Sequence, residues 1–180
     1  MSLQINTINT PHQRNGIGFD VHAFDTNKDT ASIRLFGADI PHIQALKGHS
    51  DADVGLHALC DAIYGICAMG DIGVHFPPSD DAHKGQDSTV FLDHAINLLQ
   101  QCGGALMHID LVLIGEAPKM TPHRQLIIDT LSKLTNLSAY QIGFKATTTE
   151  QLGFTGRKEG LACQAMASAI FKHGFIPPQI

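Results

Sequence analysis

Two carboxylate–imidazole patterns in this sequence could hold a metal ion. Asp20 and His22 are separated by one residue. On a strand, positions i and i+2 point to the same face, so the pair can converge on one ion. His49, Asp53, His57 and Asp61 recur at spacing four, which lines them along one side of a helix. A solvated helix face draws Lys and Glu, whereas this stripe is only His and Asp. We read it as the source of a third ligand, flanked by carboxylates that orient imidazoles. Asp20, His22 and one stripe histidine would leave a fourth position open, as in a catalytic rather than a structural zinc site. Spacing does not choose between His49 and His57, although His57, one turn inside the helix, is better anchored.

Three further segments could hold phosphate. Ala117-Pro118-Lys119-Met120 puts a lysine at a strand-to-helix junction, where its charge joins unpaired helix N–H groups. In Lys145-Ala146-Thr147-Thr148-Thr149-Glu150, three hydroxyls can donate to phosphate oxygens and Glu150 can hold a hard divalent cation. Gly153-Phe154-Thr155-Gly156-Arg157 is a turn presenting an arginine. No G-x-x-x-x-G-K-[ST] occurs, which disfavours a P-loop nucleotidase.

The elements that must position these groups are read from periodicity. Ile17 to Phe24 reads as a strand and Thr26 to Thr30 as a polar turn, with a short strand at Ile33 to Phe36. Ser50, followed by Asp51, Ala52 and Asp53, has the pattern of an N-cap with acid in the first turn. The helix it opens carries Val54, Leu59, Ile63, Ile66 and Cys67 on its apolar face and stops near Gly70. Gly73 to Lys84 reads as a loop, Asp87 to Gln101 as a helix, and His108 to Ile114 as a buried strand. Another helix starts around Pro118 to Pro122, and Tyr140 to Thr149 is a strand with a Thr-rich end. Gly153 to Gly160 is a glycine-rich loop. Leu161 to Lys172 fits helix by its alanines and strand by its alternation. About five strands and three helices, interleaved, give an α+β domain with helices packed on one face of a mixed sheet.

The chain of 180 residues suits a single domain, expected over 15–180, after a flexible extension over 1–14. Lys plus Arg is 12 and Asp plus Glu 17, for a formal charge of -5. No basic surface is available to grip a nucleic acid polymer, although one pocket can still be positive. Of the 11 histidines, those outside the patterns above read as polar surface or satisfied core imidazoles. Cys60, Cys67, Cys102 and Cys163 form no C-x-x-C pair and read as small buried hydrophobes in a reducing compartment. No apolar run reaches the length of a membrane span, and Met1 to Arg14 does not look like a secretory signal. The expectation is a cytoplasmic protein.

Taken in order, Gly18-Phe19-Asp20-Val21-His22, His49-Ser50-Asp51-Ala52-Asp53-Val54, Gly70-Asp71-Ile72-Gly73 and the three phosphate-type segments form one signature. It resembles that of the 2-C-methyl-D-erythritol 2,4-cyclodiphosphate synthases of non-mevalonate isoprenoid biosynthesis, from about Gly16 to Phe171. The resemblance implies a homotrimer with active sites between subunits. It implies conversion of 4-diphosphocytidyl-2-C-methyl-D-erythritol 2-phosphate to the 2,4-cyclodiphosphate, with release of CMP. Asp20, His22 and His57 match the zinc ligands, which selects His57. Glu150 matches the ligand of a second cation, Mg2+ or Mn2+. His49 and Thr148 match residues that stabilise the transition state.

The same resemblance implies substrate contacts at Asp20, His22, His49 and Ser50. Asp71 and Gly73 match contacts to the erythritol part, with Phe76 and Asp80 in the adjoining loop. Gly115, Ala117, Lys119, Met120 and Thr121, with Thr147, Thr148, Thr149 and Glu150, match the cytidine and diphosphate pocket. Phe154 and Arg157 match positions near a central cavity that takes isoprenoid diphosphates. Pro78 stands where relatives commonly carry Asp, and Thr121 where an apolar residue is commoner. Two other classes compete: a metal-dependent phosphohydrolase in which water attacks, and a non-catalytic isoprenoid diphosphate binder with a structural zinc. A structural site would need a fourth protein ligand, and none is evident near the three.

Overall fold

The computed structural model describes residues 11–77 and 85–177. Pro78, Asp80 and His83 lie outside them, as do the first ten residues of the expected extension. In chain order the elements begin with β1 (His12–Asp29), β2 (Ser32–Leu35), β3 (Ala38–Pro41) and β4 (Gln44–Leu46). α1 (Val54–Cys67), the single turn α2 (Ile72–His75) and α3 (Ser88–Gln101) follow. β5 (Gly104–Ile114), α4 (Arg124–Thr135), β6 (Ile142–Thr147), the single turn α5 (Gly153–Gly156) and β7 (Gly160–Phe171) complete the order. The main sheet has five strands in the order β4-β1-β7-β5-β6. Only the β5–β6 pairing is parallel, so the sheet is mixed, as expected of the α+β class.

Strand alternation sorts the sheet into two faces. On β1 the even positions from Gly16 to Phe24 turn toward the helices, and the odd positions turn away. α1 lies across β1 and β7 on the inner face. It can do so because the strands beneath it are small: Gly16 and Gly18 on β1, and Cys163, Ala165, Ala167 and Ala169 on β7, all buried. A Cβ on Gly16 or Gly18 would run into the carbonyl oxygen of Ala62 or Ala58 on α1. On the outer face Ile17 is 68% exposed, Phe19 56%, Val21 45% and Met166 38%, so this face is apolar and open.

Several local expectations change. The ambiguous Leu161–Lys172 segment is the strand β7, which pairs on both sides with β1 and β5. Its alanines serve close packing under α1, not helix propensity. The extension does not reach residue 14, because His12, Gln13 and Arg14 pair with Phe171, Ile170 and Ala169. β1 continues through the segment read as a polar turn, since its pairing with β4 tolerates exposed polar side chains. β3 and β4 were not anticipated, being short and weakly patterned. α2 and α5 each replace part of an expected loop with one helical turn.

The N-cap of α1 is Asp53, not Ser50. Its Oδ1 accepts from Gly55 and Leu56 N–H in the first turn and from Phe36 N–H at 2.8 Å, while Oδ2 accepts from Gly37 N–H at 2.6 Å. Phe36 and Gly37 form the β2–β3 turn, both with positive φ. One buried carboxylate therefore caps the helix and docks the hairpin onto it.

Candidate functional site

Asp20 and His22 face inward from β1, and His57 faces them from the second turn of α1. Asp20 Oδ2 lies 3.0 Å from His22 Nε2 and 3.1 Å from His57 Nδ1, and the two nitrogens are 3.1 Å apart. A tetrahedral ion with ligand bonds of about 2.0–2.1 Å holds its donors about 3.3 Å from one another. One carboxylate oxygen and two imidazole nitrogens at this spacing fit a zinc-type ion by donor type and by size. No other His, Cys, Asp or Glu joins the group among the described residues. The side chains keep 26% (Asp20), 15% (His22) and 11% (His57) of their exposure, so one side of the cluster is open.

The surroundings favour this arrangement. The His22 Nδ1–H donates to the Lys47 carbonyl at 2.6 Å, which turns the lone pair of Nε2 toward the cluster. Burial alone would raise the Asp20 carboxyl, but the imidazoles of His22 and His57 beside it override this and hold it well below the usual carboxylate range. Burial likewise pushes His22 down, and the neighbouring Asp20 carboxylate, which favours the protonated ring, reverses this and raises it above 6.5. On its far side, His57 Nε2 lies 2.9 Å from Ser88 Oγ and 3.2 Å from Ser50 Oγ.

The stripe read along α1 divides. Only His57 reaches the cluster. Asp53 is spent on backbone N–H groups, and Asp61 accepts from Ile72 N–H at 2.8 Å, tying α2 to α1. Neither orients an imidazole at the cluster. His49 precedes the helix and is exposed; its carbonyl accepts from Gly85 N–H at 2.7 Å. Asp71 caps α2 through Val74 N–H, Gly73 is exposed on that turn, and the Phe76 ring packs against Phe91 at 4.6 Å.

A concavity of about 430 Å³ opens beyond the ends of β5 and β6. Among the expected residues Gly115, Lys119, Met120, Thr121, Thr147 and Thr148 line it, whereas Ala117, Thr149 and Glu150 do not. Arg124, Phe144 and Lys145 also line it and were not assigned as site residues. α4 begins at this wall without a side-chain cap, and the Arg124 N–H at its start donates to the Thr121 carbonyl of the preceding turn. The Thr-rich turn is clasped by Glu116, a residue the motif reading passed over. Its Oε1 accepts from Thr149 N–H at 3.2 Å and Gln151 N–H at 3.4 Å. Thr148 Oγ1 donates to Glu150 Oε1 at 2.9 Å.

The cluster and this cleft lie at one end of the sheet. Val21 pairs with Ala162, Ala162 with Ile114, and Ile114 with Thr147. The cluster and the cleft are thus three strand steps apart, about 14 Å. Phe154 and Arg157 lie on and just after α5. Phe154 is 40% exposed, and the Arg157 fork is paired with Glu159 through two bonds of 2.9 Å.

Comparison with known proteins gives a consistent answer. The YgbB family model matches residues 13–170. A bifunctional enzyme IspD/IspF from Mesorhizobium japonicum is 50% identical over 161 residues, 89% of this chain and 39% of that protein. This chain thus spans about two fifths of the length of that curated relative. The solved bifunctional IspDF from Campylobacter jejuni superposes with a TM-score of 0.83 at 35% identity, covering 91% of this chain and 44% of that one. A 2C-methyl-D-erythritol-2,4-cyclodiphosphate synthase solved in a CDP-bound form superposes with a TM-score of 0.78 at 34% identity, covering 87% of this chain and 99% of that one. With the family model matched from β1 into β7 and the fold shared along its length, the chain belongs to the YgbB family.

Proposed function

We propose that this chain is a cyclising, CMP-releasing phosphorus–oxygen lyase, a 2-C-methyl-D-erythritol 2,4-cyclodiphosphate synthase of non-mevalonate isoprenoid precursor biosynthesis. Its substrate is 4-diphosphocytidyl-2-C-methyl-D-erythritol 2-phosphate. The observation that carries the reading is the open Asp20–His22–His57 cluster, at the same end of the sheet as a nucleotide-sized cleft. The CDP-bound relative supports that cleft as the cytidine site.

The nucleophile belongs to the substrate: a 2-phosphate oxygen attacks the β-phosphorus and the bond to CMP breaks. No serine, cysteine or strong base of the protein is needed, because the attacking oxygen is already anionic near neutral pH. Zinc at Asp20, His22 and His57 and Mg2+ or Mn2+ at Glu150 would supply positive charge to the phosphates. The protein's own task is to fold the substrate back on itself, and positioning can be worth effective molarities on the order of 10⁵ M or more. Lys119 grips the diphosphate, with Thr147 and Thr149 beside it. His49 and Thr148 steady the charge that develops, and Ser50, Asp71, Gly73, Phe76 and Asp80 hold the erythritol end.

The active protein is a homotrimer. The open apolar face of Ile17, Phe19, Val21 and Met166 supports this, and the separation of cluster from cleft supports a site shared between subunits. An isoprenoid diphosphate could bind near Phe154 and Arg157, where it would compete with Glu159 for the guanidinium. The four buried free thiols support a reducing, cytoplasmic setting. Phosphorus NMR of the purified protein with substrate, Zn2+ and Mg2+ tests the reading. Equimolar CMP and cyclic diphosphate are expected, and a linear methylerythritol bisphosphate in place of the cyclic diphosphate would refute it.

A further inference from the structure

His57 can serve the cluster only in one tautomer, and the groups behind it select that tautomer. Ser88, the first residue of α3, is fully buried. Its hydroxyl donates to Asp51 Oδ1, and its N–H donates to Asp51 Oδ2 at 3.0 Å. Asp51 also accepts from Asp53 N–H at 3.2 Å. A carboxylate only accepts, so the single hydroxyl hydrogen of Ser88 is committed to Asp51. What remains on Ser88 Oγ is lone pairs, and His57 Nε2 sits 2.9 Å away. That contact is a hydrogen bond only if Nε2 carries the hydrogen. In the neutral ring, the form that ligates a metal, Nδ1 is then left unprotonated, facing Asp20 and His22 at 3.1 Å.

We propose that Ser88 and Asp51 are positioning residues that act through His57, fixing its ring and its Nε2–H tautomer so that Nδ1 is presented to a metal ion. Residues on two elements are joined here: Asp51 precedes α1 and Ser88 opens α3. The loops are laced at the same place by Asp51 N–H to the Gln86 carbonyl at 3.1 Å. Ser50 is the weaker neighbour. Its Oγ is 3.2 Å from Nε2, and it also accepts from Ala52 N–H. Among the described residues no carboxylate takes its hydrogen, and so it is not held to the acceptor role that Ser88 has.

The inference rests on the reading of Asp20, His22 and His57 as the ligands, and the test separates the two. Zinc affinity is measured by competition with a chelating indicator, and ligand geometry by the visible absorption of the Co2+-loaded protein. Ser88→Ala should weaken zinc about 10–100-fold and alter the Co2+ band. Asp51→Asn should do the same, because an amide can donate to Ser88 Oγ and release its hydrogen toward His57. Ser50→Ala should stay within about threefold of wild type, less than the loss expected for a committed outer partner. Wild-type binding with unchanged affinity and superimposable Co2+ spectra in Ser88→Ala and Asp51→Asn would overturn the relay alone. A wild-type protein that takes no zinc would overturn the ligand reading and the relay with it.

Discussion

His22 Nε2 and His57 Nδ1 face each other across 3.1 Å, although 35 residues separate them in the chain. With Asp20 Oδ2 they make a triangle of lone pairs that a cation can satisfy together. His57→Ala should therefore lose zinc by about 100-fold or more, and turnover should fall with it while the circular dichroism stays native. Metal analysis after dialysis checks this. Full zinc retention would remove His57 from the site.

The approach of α1 to β1 sets that distance. Gly18→Ala would drive a Cβ into the Ala58 carbonyl, a backbone atom that cannot rotate away. The expected cost is about 3 kcal/mol, read as a lowered urea midpoint of the metal-free protein. Zinc affinity should fall as well, because the helix carrying His57 is displaced. A substitution neutral in both readings would contradict the packing described.

Lys119 lines the cleft beside the uncapped start of α4. Lys119→Ala should weaken CDP binding about tenfold, the loss expected for one charge-assisted hydrogen bond. Isothermal titration calorimetry measures it. Unchanged affinity would place the diphosphate elsewhere.

Stability should also carry a pH signature from His94. Partial desolvation and the neighbouring His75 hold its imidazole below 6.5, and the Tyr64 hydroxyl lies 2.9 Å from its Nδ1. The unfolded chain therefore takes up this proton first as pH falls. The contribution to stability is intact above 6.5 and is lost as pH drops through that value toward the depressed one. His94→Gln should flatten the fall in Tm between about pH 7 and 5. An identical slope would assign the pH dependence to other groups.

Much of the site was legible because its motifs are local. Asp20-x-His22 declares its shared face on any strand, and Lys119, between a strand and a helix, does line the cleft. The spacing-four stripe was only partly legible, since periodicity does not say where a helix begins. With Asp53 as N-cap, His49 falls outside the helix and the stripe loses its first member. Ser88, Asp51 and Glu116 were not legible as site residues, because each acts through a partner at least 33 residues away. β7 was ambiguous for a related reason: small residues required by α1 mimic helix propensity.

The proposed reaction turns on attack by the substrate's own phosphate and not by water. Turnover of the diphosphocytidyl substrate in water enriched in ¹⁸O, followed by mass spectrometry of both products, tests that directly. Cyclisation leaves CMP and the cyclic diphosphate without solvent oxygen. Incorporation of ¹⁸O into either phosphate product during turnover would contradict it and make the protein a hydrolase.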